Sequence, residues 1–268
     1  MSGESFTRVA IFAGVLLALM AWELAHPWRE AQRRGQRWPS NLGVVVLDAL
    51  LVRLLFPVSA AGFALFAEAK GWGLFNLLAV PGWLAVVAGV VLLDLVIYAQ
   101  HVAFHRVPLL WRLHRMHHAD TVLDVTTGLR FHPIEILLSM LIKCGAVVAL
   151  GVPPMAVIAF EVLLNATAMF NHANIVLPEP LERVLRLFVV TPDMHRVHHS
   201  VIPAETDSNF GFNLPWWDRL FGTYQDGPRA GLSRMTIGLN VFRNEAESRL
   251  DRMLTQPFRR ARREDNTH

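Results

Sequence analysis

Five apolar runs, each close to the length that crosses a bilayer as a helix, constrain the fold of this chain most. A spanning helix needs about 20 mostly apolar residues. Only 18% of the residues are charged and the mean hydropathy is +0.34, whereas about 25% of residues are charged in soluble domains. The sequence predicts an all-α, multi-pass membrane protein with four to five transmembrane or re-entrant helices, at about 9–25, 42–66, 82–104, 134–150 and 153–172.

Two of these runs allow a second interpretation. The first could be a signal peptide, because ALMA resembles a cleavage site; with only Arg8 before it, we expect an uncleaved helix. The link GVPP predicts a hairpin turn between the last two runs. Because both arms of this hairpin are short, full spanning and re-entry of residues 134–172 stay open.

The distribution of arginine predicts the orientation. Residues 26–40, 105–133 and the chain after 173 are rich in arginine, whereas 67–80 hold only Lys70. Excess basic residues mark cytoplasmic loops. Five passes with the N-terminus outside put every arginine-rich segment in the cytoplasm, as expected in a bacterial inner membrane. This clustering accounts for the pI of about 9.6 without a nucleic-acid partner.

We expect three regions along the chain. They are N-terminal transmembrane helices over 1–80, a histidine-rich catalytic region over 81–225 and a cytoplasmic tail over 226–268. From Arg249 onward the tail is polar, and we expect it to be frayed and to approach anionic lipid.

Two segments are expected at the membrane interface. Residues 178–190 place apolar side chains on one helical face, with Glu182 and Arg186 on the other, which is typical of an interfacial helix. The aromatic side chains of Trp216, Trp217 and Phe221 are expected to form an interface belt.

Histidine is the second strong constraint. The cluster HRMHHAD at 114–120 is nearly repeated as HRVHHS at 195–200. Of 12 histidines, His26 and His268 are interpreted as bystanders, and the other ten fall on the cytoplasmic side of the predicted topology. Chance would distribute them over both sides. The ten are His101, His105, His114, His117, His118, His132, His172, His195, His198 and His199.

Histidine spacing indicates how these side chains could bind metal. His101 and His105 are four residues apart at the end of a long helix and share a face. In a helical H-R-x-H-H cluster the first and last histidines also share a face, whereas the adjacent two point about 100° apart. One ion cannot easily take both, and ten candidates exceed the four ligands usual for zinc. The spacing predicts two metal ions.

Residue types leave the metal open, because imidazole suits zinc, copper, iron and nickel. The sequence holds no H-E-x-x-H protease motif, and its single cysteine, Cys144, excludes an iron–sulfur cluster. Nearby carboxylates are expected to orient imidazoles, although a buried acid paired with another polar group is an equal interpretation of Asp94. These carboxylates are Asp94, Asp120, Asp124 and Asp193.

Four residues in or near the clusters have simpler structural interpretations. A lone histidine such as His132 or His172 is more often a hydrogen-bonded core residue than a ligand. Arg115 and Arg196 are most simply solvated or lipid-facing.

At these residues the chain resembles the fatty acid hydroxylase / sterol desaturase superfamily of integral-membrane di-iron enzymes. The resemblance extends from about Asp94 to Tyr224. Its motifs occur in order: DLVIYAQHVAFH, LWRLHRMHHAD, LDVTTGLRFHPIE, FNHANI, TPDMHRVHHS and ETDSNFGFNLPWWDRLFGTY. Where some members have H-x3-H, this chain has Ala168 and His172, so His132 is the expected substitute.

The resemblance implies a cytoplasmic helical cap that holds the metals. It implies that all ten histidines are ligands, supported by Asp94, Asp193 and Asn171, with no catalytic residue besides the ligands. The implied cofactors are two iron ions, with zinc as a surrogate, and O2 is the implied co-substrate. Iron changes oxidation state, whereas zinc has no redox chemistry.

The implied activity is hydroxylation, desaturation or ether-adjacent oxidation of a fatty acyl, sterol or ether lipid. Because the sequence holds no G-x-G-x-x-G motif, cysteine set or haem module, we expect a separate electron donor: a reductase, ferredoxin or cytochrome.

Three alternatives stay open, as does the oligomeric state. One is a metal-dependent lyase or hydrolase on the same scaffold, acting without O2, and another is a non-enzymatic metal carrier or sensor. The third is a transporter, which would place polar residues at the bilayer midplane. Asp48, Arg53 and Lys143 are candidates for that role, but the histidines lie at one face.

Overall fold

The structure, a computed structural model, describes residues 3–30 and 34–260. Within these ranges every regular element is a helix, besides two isolated β-bridges, so the all-α prediction is confirmed. The α-helices are α1 (Gly3–Ala25), α2 (Arg34–Leu55), α3 (Ala60–Lys70), α4 (Leu74–Leu77), α5 (Gly82–Arg106), α6 (Pro108–His118), α7 (Pro133–Leu150), α8 (Pro154–His172), α9 (Glu179–Leu185), α10 (Pro192–His198), α11 (Pro203–Thr206), α12 (Trp216–Leu220) and α13 (Leu250–Thr255). Short 3-10 helices cover Thr127–Leu129, Glu245–Ser248 and Gln256–Phe258.

Five helical segments are long and apolar enough to cross a membrane, which confirms the predicted number of spans. They are Phe6–Ala25, Arg34–Leu77, Gly82–Arg106, Pro133–Leu150 and Pro154–His172. At about 1.5 Å of rise per residue, the 18 residues of α7 extend for about 27 Å. This length is close to the roughly 30 Å of a hydrocarbon core.

The second span is broken, and it begins earlier than the sequence predicted. Helix α2 starts at Arg34 instead of near residue 42, and the chain leaves the helix after Leu55. Pro57 lies in the break, since proline lacks the N–H that would continue the helix. The Ser59 hydroxyl then caps α3 by accepting from the Gly62 N–H at 3.2 Å.

The first half of α2 packs on the loop after α6. The Arg37 side chain, 1% exposed, donates to Asp120 at 2.7 and 2.8 Å and to Asp124 at 2.5 Å. Burial raises the pKa of Asp120, but the Arg37 charge outweighs burial and lowers this pKa to about 2. The prediction that Asp120 and Asp124 orient imidazoles is therefore wrong, because both bind this guanidinium.

Helix α5 lies against α6, α7 and α8 in the centre of the bundle. Its buried side chains meet a tightly packed core, since Leu93 is 1% exposed and Phe160 is fully buried. Burial of one such side chain contributes about 1.5–3 kcal/mol. The central helix is thereby packed against its neighbours from Ala85 to Ile97, one turn before the first of its histidines.

One end of the bundle is marked by two glycine turns in contact. Gly73 (φ +94°) lies so close to Gly151 (φ +70°) that a Cβ on Gly73 would stand 2.1 Å from the Gly151 nitrogen. Because α7 ends and α8 begins at this turn, the start of α7 and the end of α8 lie at the opposite end. The last two turns of α5 join them there, so His101, His105 and His172 share one end of the bundle.

The C-terminal segment folds back onto the histidine end. Met253 of α13 and Gln256 are both fully buried, and Arg112 donates to the Pro257 carbonyl at 2.8 Å. The predicted fraying from Arg249 is therefore wrong for residues 249–260, because a packed helix anchors them. Residues 261–268, with Arg262, Arg263 and His268, lie outside the described residues.

The predicted interfacial helix is shorter in the structure. Only α9 is α-helical within 178–190, and its apolar side chains face outward: Leu181 is 45% and Val184 is 55% exposed. Glu182 is buried and accepts from Arg186 at 2.7 Å. Trp216 and Phe221 are exposed beside this segment, as an interface belt requires. Trp217 instead donates its indole N–H to Asp94 at 2.8 Å.

Candidate metal centre

The histidines of the metal centre come from four helix ends. His101 and His105 lie on the last two turns of α5, and His172 is the last residue of α8. The H-R-x-H-H clusters lie at the ends of α6 and α10, with His199 as the residue after α10. Pro108 and Pro192 each begin their helix, where proline is favoured. The clusters are therefore helical up to His118 and His198, as the argument from a shared helical face assumed.

Five histidines form the first group. Their ligand nitrogens all lie within 4.8 Å of one another, and the members are His101, His105, His114, His118 and His198. Nε2 of His101 lies 3.0 Å from Nε2 of His114. Two nitrogens that bind one ion at about 2.1 Å and at right angles stand about 3.0 Å apart, so the separation suits one ion.

Four histidines form the second group: His117, His172, His195 and His199. Nε2 of His172 lies 3.1 Å from the Nε2 atoms of the other three. All four side chains are fully buried. These separations also suit a single ion.

Adjacent histidines enter different groups. His118 belongs to the first group and His117 to the second, and His198 and His199 divide in the same way. The cause is the angle of about 100° between neighbouring side chains on a helix. Each H-R-x-H-H cluster therefore reaches both groups.

Hydrogen bonds fix the imidazoles of the first group from outside. His101 Nδ1 faces the Phe210 carbonyl and His198 Nδ1 faces the Ser208 carbonyl, each at 2.7 Å. Carboxylates hold two further rings. Glu135 Oε1 lies 2.7 Å from His114 Nδ1, and Asp207 Oδ1 lies 3.3 Å from His105 Nδ1. With the proton on Nδ1, the Nε2 lone pairs face inward.

The second group has fewer such partners. His172 Nδ1 donates to the Ala168 carbonyl at 2.7 Å. Within the described residues, the buried Nδ1 atoms of His117, His195 and His199 have no hydrogen-bond partner. The His117 ring instead stacks on Phe131, with the centroids 4.5 Å apart. The two groups are thus chemically unequal.

Converging nitrogens are the observation that tests the fit to metal. A carbonyl only accepts, so His172 carries its hydrogen on Nδ1, and its Nε2 offers one lone pair to three Nε2 neighbours. Hydrogen bonds among the rings cannot satisfy these four nitrogen atoms at the same time. A cation can, and nitrogen is a ligand that iron, zinc and copper accept. Both groups therefore fit a metal ion.

Burial also favours the neutral, ligating form of these rings. It lowers the pKa of His114 to about 3 and holds the pKa of His118 and His199 well below the usual value of 6.5. Neighbouring histidines lower the pKa of His118 and His199 further. A deprotonated imidazole is the form that binds metal.

The structure does not bring His132 to either group. His132 caps α7, with Nδ1 accepting from the Ile134 N–H at 3.2 Å, and its Nε2 lies 3.2 Å from the Leu254 carbonyl. Both ring nitrogens are thereby used. The position of Ala168 has no histidine substitute here, and the Ala168 carbonyl instead orients His172.

The three residues predicted to support the ligands bind other groups instead of the imidazoles. Asp94 accepts from Trp217 and from the Leu214 N–H, and Asp193 pairs with Arg196. Asn171 donates to the Phe212 carbonyl at 3.2 Å. Among the contacts of the described residues, none of these three reaches an imidazole, which supports the paired interpretation of Asp94.

Sequence reasoning missed the residues that do hold the rings. Glu135 and Asp207 contact imidazoles directly. Asp218 accepts from the Phe210 and Gly211 N–H groups at 2.8 Å, and so positions the carbonyl that faces His101. All three lie in stretches that carry the family resemblance, and this location is the signal that could have identified them.

The two arginines of the clusters are buried, not solvated or lipid-facing as predicted. Arg196 is 1% exposed; it donates to the Ala173 and Ile175 carbonyls and lies over Trp28 at 4.4 Å. Arg115 is 7% exposed and donates to the Gln256 and Arg259 carbonyls. These hydrogen bonds hold the histidine helices against neighbouring segments. Without the arginines the buried carbonyls would have no donor, which is costly.

Comparison with known proteins gives a consistent picture. A model of the family described as fatty acid hydroxylase matches residues 86–223. Ornithine lipid hydroxylase of Rhizobium tropici is 32% identical over 180 residues, 67% of this chain and 52% of that protein. Alkylglycerol monooxygenase of Xenopus tropicalis is 30% identical, and that of Danio rerio 32% identical, each over 216 residues, 78% of this chain and 46% of the relative.

The chain spans about half the length of these curated relatives. No solved structure matches it significantly.

Proposed function

Because this chain belongs to the fatty acid hydroxylase family, we propose that it is a membrane-bound, O2-dependent lipid oxygenase with two iron ions. The observation that carries the proposal is the convergence of nine histidines in two buried groups at one end of a bundle with five candidate membrane spans. Two groups imply two ions. The names of the relatives indicate that the substrate is a lipid and that the reaction is an oxygenation.

Nine histidines would hold the ions, five in the first group and four in the second. Bound there, iron would supply the redox chemistry that directs O2 against an unactivated C–H bond. The chain's own contribution is positioning and exclusion of water. Glu135, Asp207 and backbone carbonyls hold the rings of the first group in place, and Phe131 and Phe212 cover the rings on their apolar side.

Hydroxylation consumes more than the lipid. One oxygen atom of O2 enters a C–H bond and the other leaves as water, with two electrons and two protons from outside. We therefore propose a separate electron donor as partner. The arginine-rich segments support a cytoplasmic location for the histidine end, in a bacterial inner membrane, because basic residues are in excess in cytoplasmic loops. Soluble reductants are available on that side.

We assign the catalytic region to residues 81–225, with support from both ends of the chain. Glu23 of α1 accepts from the Val125 and Asn174 N–H groups at 2.7 and 2.6 Å, and so ties the first span to segments beside the histidines. The tail segment around Met253 closes the other side. The assigned region therefore depends on α1 and α13 for its packing.

Transport is less well supported by the contacts. Lys143, one of the midplane candidates, forms an ion pair with Glu161, which also binds Arg8. A paired group of this kind holds α1, α7 and α8 together and leaves Lys143 engaged within the bundle.

Purified protein tests the proposed function. Gently solubilised protein is expected to hold about two irons per chain and to consume O2 with reductant while oxidising a membrane lipid. His118→Ala and His198→Ala should abolish the oxidation, because each removes a ligand of the first group. Exposed His26 provides the control, His26→Ala. Full activity of either ligand variant would refute the dimetal mechanism.

A further inference from the structure

Hydrogen bonding around the rings differs between the two histidine groups. In the first group, four of the five Nδ1 atoms face an acceptor: the Phe210 and Ser208 carbonyls, Glu135 and Asp207. In the second group, within the described residues, only His172 Nδ1 faces one. A partner at Nδ1 fixes the ring and makes its Nε2 a stronger ligand. The first group is therefore better prepared for a metal ion.

Three rings of the second group are buried without that support. His117, His195 and His199 are fully buried, and their Nδ1 atoms have no partner in the part of the chain that the structure describes. A metal bound at Nε2 of a neutral ring leaves the hydrogen on Nδ1. A buried N–H without an acceptor is costly. This cost falls three times on the second group and at most once, at His118, on the first.

Carboxylates are also distributed unequally between the groups. Glu135 Oε1 and Asp207 Oδ1 lie 2.7 and 3.3 Å from rings of the first group, so negative charge lies beside a cation bound there. Among the contacts of the described residues, no carboxylate reaches a ring of the second group. Asp120, three residues after His117 in the chain, pairs with Arg37 instead. Because two cations in neighbouring groups repel each other, the group with fewer partners holds its ion less tightly.

We infer that the two groups bind iron in a fixed order, the first group tightly and the second group at least about tenfold more weakly. The inference rests on the proposed function and adds how that function depends on the metal supply. Because the proposed reaction needs both ions, the second group sets the iron concentration at which lipid oxidation begins. An ion in the first group alone forms an inactive, half-loaded protein.

Competition with a chelator measures the order of binding. Ferrous iron is added without oxygen to the full chain in detergent, and bound iron is followed as the chelator concentration rises. His199→Ala, which keeps the first group, should retain its ion to at least about tenfold more chelator than His198→Ala, which keeps the second. The wild-type protein should release its ions in two steps.

The outcomes of this competition separate the inference from the proposed function. Equal affinity in the two variants, or the reverse order, would overturn the inference and leave the proposed function standing. Failure of the wild-type protein to bind iron would refute the proposed function itself. If His198→Ala loses its fold by thermal unfolding, His105→Ala removes another ligand of the same group.

Glu135→Leu tests whether the ring partners cause the difference. Combined with His199→Ala, it should lower the iron affinity of the remaining first group about 10–100-fold, because the His114 ring loses its acceptor. Combined with His198→Ala, it should leave the affinity of the second group unchanged. An equal loss in both backgrounds would contradict the argument from ring partners.

Oxygen consumption tests the consequence for activity. Protein with increasing iron content is reduced with dithionite, freed of excess reductant and mixed with O2 and vesicles that contain ornithine lipid and an alkylglycerol. Oxidised lipid should form in proportion to the second ion bound, and not to the first. A full yield at one iron per chain would overturn the inferred dependence on the second group. No oxidised lipid at full iron loading would count against the proposed function, whatever the order of binding.

Discussion

Glu135 Oε1 lies 2.7 Å from Nδ1 of His114, with both side chains buried. The contact joins the first turn of α7 to α6, so a carboxylate at the start of one helix orients a ligand on another. Partners of this kind keep the free ring nitrogen directed at the metal.

Loss of this carboxylate should weaken metal binding. Glu135→Leu is expected to lower the metal affinity of the first group about 10–100-fold, because the His114 ring loses its acceptor. Glu135→Gln, which keeps an acceptor oxygen, should lose less. Chelator competition on purified protein measures the difference. Glu179→Gln, at a side chain 82% exposed, is the matched control; equal metal affinity in all three variants would remove Glu135 from this role.

Substitution of His198 or of His199 should remove one metal ion per chain, from a different group in each case. His198→Ala affects the group of five and His199→Ala the group of four. Metal analysis should give about one ion per chain for each single variant, and still less for the double variant. Loss of both ions from either single variant would show that the groups are not independent.

Gly128 fixes the position of His172 by close packing. A Cβ on residue 128 would stand 2.3 Å from the Ala168 carbonyl oxygen and 3.2 Å from His172 Nδ1. Gly128→Ala should therefore displace the bond between these two groups and reduce metal in the second group. Gly145→Ala, with nothing within 4 Å, should retain full metal content. Metal analysis compares the two, and an unaltered Gly128→Ala would contradict the packing argument.

Acid should destabilise the metal-free protein. Burial lowers the pKa of His114 to about 3 and holds the pKa of His118 and His199 well below 6.5. Below pH 6.5 the unfolded chain binds protons that these folded rings do not. Stability then falls by about 1.4 kcal/mol per pH unit for each such ring.

Thermal unfolding of chelator-treated protein in detergent measures this dependence. The midpoint temperature should be constant between pH 8 and pH 7 and should fall at pH 6 and pH 5. The fall begins near pH 6.5 because histidines of the unfolded chain have a pKa of about 6.5. A midpoint that does not change over this range would show that the rings gain protons in the folded state.

Local patterns determined much of this protein. The apolar runs predicted five spans because a helix in lipid satisfies its own backbone. The spacing of H-R-x-H-H predicted that His117 and His118 diverge, since side-chain direction within one helix depends on sequence alone. The resemblance in residues 94–224 implied ten histidine ligands, and the structure brings nine of them together.

Tertiary structure decided the rest. His132 has the residue type of a ligand, but its place as the cap of α7 commits both nitrogens elsewhere. Glu135, Asp207 and the carbonyls of 208 and 210 became ring partners because loops distant in sequence meet at the helix ends. Arg115 and Arg196 are buried for the same reason. Periodicity fixes which face a side chain occupies, but only the packed helices determine which atoms that face meets.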